Sequence, residues 1–187
     1  MKLASKSKNR ISILEMIQDG ISTQEVFETI DYKNESEDRI KQLIYPNLLN
    51  KVTEYVMEKK GFGRGLAREK AKTMIKWEGN RQSMVKRPTN DSFVRNISFM
   101  GTSNKPDMSL DIGGVKVAVE FKKGNRGNAL REGFGQSLIY STVFDFVIYM
   151  FIDISEDNRI LAGSNSVTEQ NFLDNIWDNF NVKFVIV

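Results

Sequence analysis

The chain has 187 residues, of which 40% are hydrophobic and 27% are charged, a composition typical of a globular protein with a sizeable core. It contains no cysteine and no histidine, which excludes disulfides, thiolate zinc sites, cysteine nucleophiles and histidine-based catalysis. Any hydrolytic chemistry must therefore use carboxylates, lysine and a hard metal ion. The net charge is only +3, so a nucleic-acid surface would need local clustering of basic residues. The sequence shows neither a membrane-length apolar run nor a signal-peptide core, and we predict a cytoplasmic protein without membrane contact.

Residues 1–60 are predicted to form an N-terminal helical region. Ser22 with Glu25 has the pattern of a capping box, Ser36 is a suitable N-cap, and Pro46 is expected to break or restart the helix. The predicted segments are a frayed arm over 1–10 and helices over 11–18, from 22, over 37–45 and over 48–60. This order fits either a helix-turn-helix element or a helical layer packed on the main domain, and the many acidic residues favour the layer.

Residues 61–91 form a second, locally basic segment, predicted to be helical from Leu66 to Trp77 and to turn at Pro88–Asp91. The glycine-rich start is not a P-loop, because no Gly-Lys-Ser/Thr follows it. Arg68, Lys72 and Lys76 are the candidate phosphate contacts. A solvated helix face explains the same charges equally well.

The stretch from Lys105 to Lys123, KPDMSLDIGGVKVAVEFKK, predicts a two-stranded hairpin, preceded by a strand over 93–100. Apolar and polar residues alternate on both sides of Gly113-Gly114, which is a two-residue turn signal. With a tight turn, Asp107 lies opposite Glu120, and Lys122 points to the same face. Two adjacent carboxylates repel each other unless a cation lies between them, so the pattern predicts a site for a hard divalent ion, although an ordinary mixed-charge strand face is the alternative.

The chain after the hairpin predicts alternating helices and strands. The predicted segments are a loop containing Arg126, a helix over 129–141, a buried strand over 144–154, a turn at 158–159, a helix over 167–180 and a last strand over 182–187. The expected fold is α/β, with a mixed central β-sheet flanked by helices and an N-terminal helical extension.

Pro106-Asp107, the hairpin and Glu120-Phe121-Lys122 together resemble the PD-(D/E)XK nuclease superfamily, over roughly residues 92–187. The resemblance implies a restriction-endonuclease-like catalytic core in that segment. It also implies that Asp107 and Glu120 bind Mg²⁺, for which Mn²⁺ could substitute, and that Lys122 assists the attacking water. The expected function is that of a metal-dependent DNA endonuclease whose products carry 5′-phosphates.

The same resemblance suggests further site residues. The Phe121 carbonyl would be another metal ligand, and a preceding helix would bring an additional acid, for which Glu37 is the first candidate and Glu54 the second. Gln136, on the helix after the hairpin, would contact phosphate or water, and Arg126 would contact DNA.

Two alternatives to a DNA endonuclease remain. One is a catalytically silent nucleic-acid-binding or assembly protein on the same fold, and the other is a metal-dependent phosphohydrolase acting on nucleotides. If the protein makes paired cuts in duplex DNA, a homodimer is expected.

Overall fold

A computed structural model describes residues 3–77, 94 and 96–187. Over these residues four helices come first, five strands follow, and the rest of the chain contains both helices and strands. The helices are α1 (Lys8–Ser22), α2 (Gln24–Glu28), α3 (Glu37–Lys60), α4 (Arg64–Met74), α5 (Gly127–Tyr140), α6 (Arg159–Ser164) and α7 (Val167–Phe180). The strands are β1 (Ile75–Trp77), β2 (Ile97–Phe99), β3 (Thr102–Asn104), β4 (Met108–Ile112), β5 (Val115–Gly124), β6 (Phe146–Asp153) and β7 (Val182–Ile186).

Five strands form one mixed sheet in the order β1-β4-β5-β6-β7, and β2 pairs with β3 in a separate antiparallel ribbon. This confirms the predicted α/β class with a mixed sheet flanked by helices. None of the described helices is both long and apolar enough to cross a membrane.

The predicted hairpin is confirmed. The strands β4 and β5 are separated only by Gly113 and Gly114, which have φ angles of 59° and 79°. Positive φ at both central residues is the signature of a type I′ turn, whose twist matches that of the flanking strands. The alternating apolar side chains of both strands are buried, from Met108 through Val119.

The chain divides into two compact units, each assembled from separated stretches. Unit 1 comprises Met1–Ser5, Arg95–Asp107 and Lys116–Val187, and unit 2 comprises Lys6–Val94 and Met108–Val115. The segments predicted from the sequence, 1–60, 61–91 and 92–187, are contiguous and do not coincide with these units.

Unit 1 is built on parallel strands. In it β6 pairs in parallel with both β5 and β7, and α5 and α7 provide the helical crossovers that parallel neighbours require. Every residue of β6 is buried, as the continuous apolar run predicted. Where a turn was predicted at Asn158–Arg159, the chain instead enters the short helix α6, and the buried carboxylate of Asp153 accepts hydrogen bonds from the N–H groups of Ile160 and Leu161.

Unit 2 contains α1, α3 and α4 together with β1 and β4, which pair in an antiparallel ladder. The helix α1 packs on α3 at Gly20, where an added Cβ atom would lie 2.9 Å from Leu48 Cδ1. Ser36 caps α3 as predicted, because its Oγ accepts a hydrogen bond from the Arg39 N–H at 3.2 Å.

Three predictions about the elements of unit 2 are wrong. Pro46 lies inside α3, which continues to Lys60 because buried apolar residues before and after the proline share one packed face. Ser22 ends α1 and donates its hydroxyl proton to the Gln18 carbonyl, so it does not cap α2. The helix predicted to reach Trp77 ends at Met74, because residues 75–77 pair with β4 as β1.

Smaller differences lie at the ends of elements. The first helix begins at Lys8, within the predicted frayed arm. Of the strand predicted over 93–100, the structure shows β2, and residues 93 and 95 lie outside the described part. The turn predicted at residues 88–91 also lies outside it.

Candidate active site

The structure brings Asp107, Glu120 and Lys122 together within unit 1. Asp107 lies in a bend just before β4, and Glu120 and Lys122 are two residues apart on β5, so their side chains leave the same face of the strand. The Phe121 N–H donates a hydrogen bond to Asp107 Oδ2 at 2.8 Å. This bond fixes Asp107 against the short run of β5 that carries the other two residues.

Both carboxylates are buried, with exposed fractions of 8% for Asp107 and 2% for Glu120. The pKa of Glu120 is raised to about 8: burial is the largest cause, the negative charge of Asp107 acts in the same direction, and the nearby Lys122 ammonium opposes both. Glu120 Oε2 is buried and has no hydrogen-bond partner in the described structure. An ionised Glu120 therefore lacks compensation for its charge at this oxygen.

Lys122 forms ion pairs with two carboxylates. Its Nζ lies 3.3 Å from Glu120 Oε1 and 3.4 Å from Glu132 Oε1. The Glu120 side chain is almost fully buried, whereas the Glu132 side chain is 64% exposed. The Lys122 ammonium therefore lies between the buried carboxylate of Glu120 and the exposed carboxylate of Glu132.

One side of α5 contributes further polar side chains to the site. Glu132, Gln136 and Tyr140 are spaced four residues apart, so they lie on one side of the helix. The buried Tyr140 hydroxyl donates to the Lys105 carbonyl at 2.8 Å and also interacts with Glu120. Gln136 Oε1 is buried without a hydrogen-bond partner in the described structure. Sequence analysis selected Gln136 but missed Glu132 and Tyr140, and the four-residue spacing was the signal that could have found them.

The residues fit a hard divalent ion. Carboxylate oxygens are the preferred ligands of Mg²⁺, and Glu120 Oε2 is a buried carboxylate oxygen without a partner. Among the described residues there is no group of three or more His, Cys, Asp and Glu side chains placed to hold a metal. A site with Asp107 and Glu120 as its side-chain ligands would be compatible with Mg²⁺, because this ion usually keeps several waters.

The predicted Phe121 carbonyl ligand is compatible with the local backbone. In an extended strand the N–H and C=O groups of one residue leave the same edge. Because the Phe121 N–H is directed at Asp107, its carbonyl leaves β5 toward the same side.

The placement of Asp107, Glu120 and Lys122 is the pattern on which the sequence resemblance rests. No family model, curated protein or solved structure matches the chain. Membership of the superfamily therefore stays a prediction, and a function has to be argued from the chemistry of the site.

Glu37 and Glu54, the candidates for a further acidic ligand, lie on α3 in unit 2. Glu37 Oε1 is 3.5 Å from Lys41 Nζ, and the Glu54 side chain is exposed. Neither belongs to a group of three metal-binding side chains within the described part of the chain. The Lys41 ion pair gives Glu37 a structural partner.

The basic residues predicted to contact DNA have varied surroundings. Arg68 Nη1 donates to Asn50 Oδ1 at 2.8 Å, and Lys72 Nζ lies 2.7 Å from Glu69 Oε1. Lys76 is half-buried on β1 rather than on a helix, and Arg126 is exposed at the N-cap position of α5. Arg81, Lys86 and Arg87, which extend the basic segment, lie outside the described residues. Binding of nucleic acid by these residues stays a prediction.

Proposed function

We propose that this protein is a metal-dependent DNA endonuclease that hydrolyses phosphodiester bonds. Its active site would be formed by Asp107, Glu120 and Lys122. The observation that carries the proposal is the buried carboxylate pair beside a lysine, with one oxygen of Glu120 unpartnered. Burying two acidic side chains next to each other opposes folding unless a cation compensates them. Strongly perturbed carboxylates in such a setting are typical of functional sites.

Asp107 and Glu120 would hold the metal, with the Phe121 carbonyl as a further oxygen ligand. A bound divalent ion would polarise the phosphate and lower the pKa of a coordinated water. Glu120 must lose its proton to serve as a ligand, so metal binding and deprotonation of this residue are coupled.

Lys122 would act on the reacting groups. Its ammonium lies beside Glu120, and the side chain is 20% exposed, so the ammonium would be available to an attacking water and to a phosphate oxygen. There it would orient the water and stabilise the negative charge that grows on the phosphate oxygens as the new P–O bond forms and the P–O bond to the leaving group breaks. The resemblance to the PD-(D/E)XK nuclease superfamily implies that the products would carry 5′-phosphates.

The polar side chains of α5 at the site support the same chemistry. Gln136 Oε1 is a buried acceptor without a partner in the described structure, so it can accept a hydrogen bond from a water at the site. Tyr140 ties Lys105, two residues before Asp107, to the helix through its hydroxyl. The helix therefore holds the segment that presents Asp107.

The proposal is tested by incubating labelled linear, branched and single-stranded DNA with the protein and Mg²⁺, Mn²⁺ or EDTA. Cleavage is expected with either metal and not with EDTA. Asp107→Asn should lose metal binding and cleavage together, with little rescue by added Mg²⁺. Lys122→Ala should still bind metal but cleave about a hundredfold or more slowly, because it loses a transition-state contact.

Lys123→Ala is the matched control, since Lys123 points to the opposite face of β5 and should leave cleavage nearly unchanged. Full activity of Lys122→Ala combined with an inactive Lys123→Ala would overturn the assignment. Binding of metal and DNA without cleavage of any substrate would favour the catalytically silent alternative.

A further inference from the structure

A large apolar groove lies in unit 1, on the side of α5 that carries Leu130, Phe134 and Leu138. Its volume is about 790 Å³, and it is lined by residues of α5, α6, α7 and β7. These leucines and phenylalanine are spaced four residues apart and lie on the opposite side of α5 from Glu132 and Gln136. The groove is therefore distinct from the candidate active site.

The floor of the groove is aromatic and well packed. The ring of Phe134 stacks on Phe184 with centroids 5.2 Å apart and meets Phe172 and Tyr149 edge-on at 5.6 Å and 4.9 Å. Phe172 is 46% exposed although it borders the groove. Concave apolar sites of several hundred Å³ with few polar groups are typical of small-molecule binding sites.

The polar groups around the groove favour an anion. Two arginines line it, Arg131 and Arg159, against one acid, Glu169. Both arginines are oriented by neighbours: Arg131 donates to Asn128 Oδ1, and Arg159 Nη2 donates to the Asn125 carbonyl at 3.0 Å. Arg159 Nε also lies 3.9 Å from Asp157 Oδ1, but the Arg159 side chain is 62% exposed, so its guanidinium can still meet a ligand.

We propose that this groove binds a small amphipathic anion, a monomeric molecule with an apolar chain or ring system and one carboxylate. The apolar part would lie over Phe134 and Phe172, and the carboxylate would pair with Arg131 or Arg159. An arginine fork matches a carboxylate in geometry as well as in charge.

Two glycines of the groove give a clean test. Gly135 and Gly163 both line it, and a Cβ atom added at either would meet nothing within 4 Å. The first atom of a larger side chain at Gly135 therefore meets no clash, and such a side chain replaces a poor helix former within α5 and would occupy part of the groove. Gly133 offers no such test, because an added Cβ would lie 2.3 Å from the Tyr149 ring.

The experiment is calorimetric titration of the full chain with decanoate below its aggregation concentration, with decanol as the uncharged analogue. Decanoate should bind saturably and several-fold more tightly than decanol. Gly135→Leu should weaken decanoate binding about tenfold or more, and the double variant Arg131→Gln/Arg159→Gln should remove most of the preference for decanoate. Gly65→Leu is the matched control, since Gly65 is an exposed residue of α4 in unit 2 and an added Cβ also meets nothing there.

Absence of saturable binding would overturn the proposal, as would equal affinities of the wild type for decanoate and decanol or an unchanged affinity in Gly135→Leu. Sedimentation of the free protein gives an independent measurement. A wild-type dimer that becomes monomeric in Gly135→Leu would assign the groove to a second copy of the chain and overturn the small-molecule proposal.

Discussion

Two buried acids of unit 1 show how differently a carboxylate can be accommodated. Burial raises the pKa of Asp153, but hydrogen bonds from Ser155, Leu161 and Ile160 outweigh it, so the net pKa is lowered. Glu120 has no comparable set of donors, and its pKa is raised. Asp153 therefore stabilises the fold as an anion, whereas an anionic Glu120 needs a further cation.

The raised pKa of Glu120 predicts how stability depends on pH in EDTA. Below the ordinary value of 4.5 the residue is protonated in both the folded and the unfolded state, and above about pH 8 it is ionised in both. Between these limits the folded state holds the proton while the unfolded state releases it, so the free energy of unfolding falls as pH rises. Glu120→Gln stays neutral throughout and should be more stable than the wild type above pH 8, by on the order of 5 kcal/mol.

Urea denaturation of both proteins across this pH window measures the effect. Glu156→Gln is the control, because Glu156 is an exposed acid of unit 1 and its substitution should leave the pH dependence unchanged. A Glu120→Gln variant that tracks the wild type at every pH would show that Glu120 ionises without penalty, and the argument from burial would then fail.

The core of the candidate site could be predicted because it depends on local rules. Period-two alternation and a diglycine turn fix which residues of the hairpin share a face, and this selected Asp107, Glu120 and Lys122. The four-residue spacing places Glu132 and Tyr140 on one side of α5 with Gln136, but it does not show what that side packs against. Their proximity to Lys122 and Glu120 depends on how α5 packs, which no short stretch of sequence encodes.

The helix α5 has two sides that face different sites. One side carries Glu132, Gln136 and Tyr140 toward the buried acids, and the other carries Phe134 and its neighbours in the groove. The sequence predicted this helix and its apolar stripe. The apolar side chains Leu130, Phe134 and Leu138 are only half-buried because they border an open groove.

The helix α3 shows why a local rule can mispredict an element. A proline in a helix interior removes one hydrogen bond and crowds the carbonyl four residues earlier, so Pro46 predicted a break. The buried faces of Ile44 and Leu48, on either side of the proline, keep the helix continuous. Tertiary packing outweighs the cost of the proline, and this packing is not visible in the local sequence.

This cost makes a prediction for Pro46→Ala. Pro46 is exposed, so the substitution leaves no cavity, and the new N–H can donate to the Gln42 carbonyl. Relief of the helix penalty of about 3 kcal/mol, reduced by the greater freedom of the unfolded chain, should raise the free energy of unfolding by about 1–3 kcal/mol.

The urea midpoint should rise while the slope of the transition stays unchanged. Glu58→Ala, at an exposed position of the same helix, should change the free energy of unfolding by less than about 0.5 kcal/mol. A destabilised Pro46→Ala would mean that α3 needs the geometry imposed by the proline in order to pack.

In the whole molecule, the charge is distributed unevenly between the two units. By sequence, the ranges of unit 1 contain ten basic and ten acidic residues, a net charge of zero. The ranges of unit 2 contain seventeen basic and fourteen acidic residues, so the whole net charge of +3 falls there. The candidate active site is in the neutral unit, so under the proposed nuclease function the basic residues of unit 2 are the expected main source of long-range attraction of DNA.

Under the proposed nuclease function, the unequal charge of the two units can be tested by DNA binding. Neutralising Arg68, Lys72 and Lys76 together should weaken duplex DNA binding and reduce the slope of log affinity against log salt concentration. Full release of three phosphate contacts would change the slope by about 2.7. A smaller change is expected because Asn50 and Glu69 already engage Arg68 and Lys72.

Neutralising Lys51, Lys59 and Lys60 on α3 removes the same net charge and provides the control. Fluorescence anisotropy over a series of salt concentrations, in Ca²⁺ to suppress cleavage, measures both slopes. If both triple variants lower the slope equally, DNA responds only to the net charge of unit 2. If the Arg68, Lys72 and Lys76 variant alone lowers it, these residues meet the phosphates, and an unchanged slope would show that their charges are merely solvated.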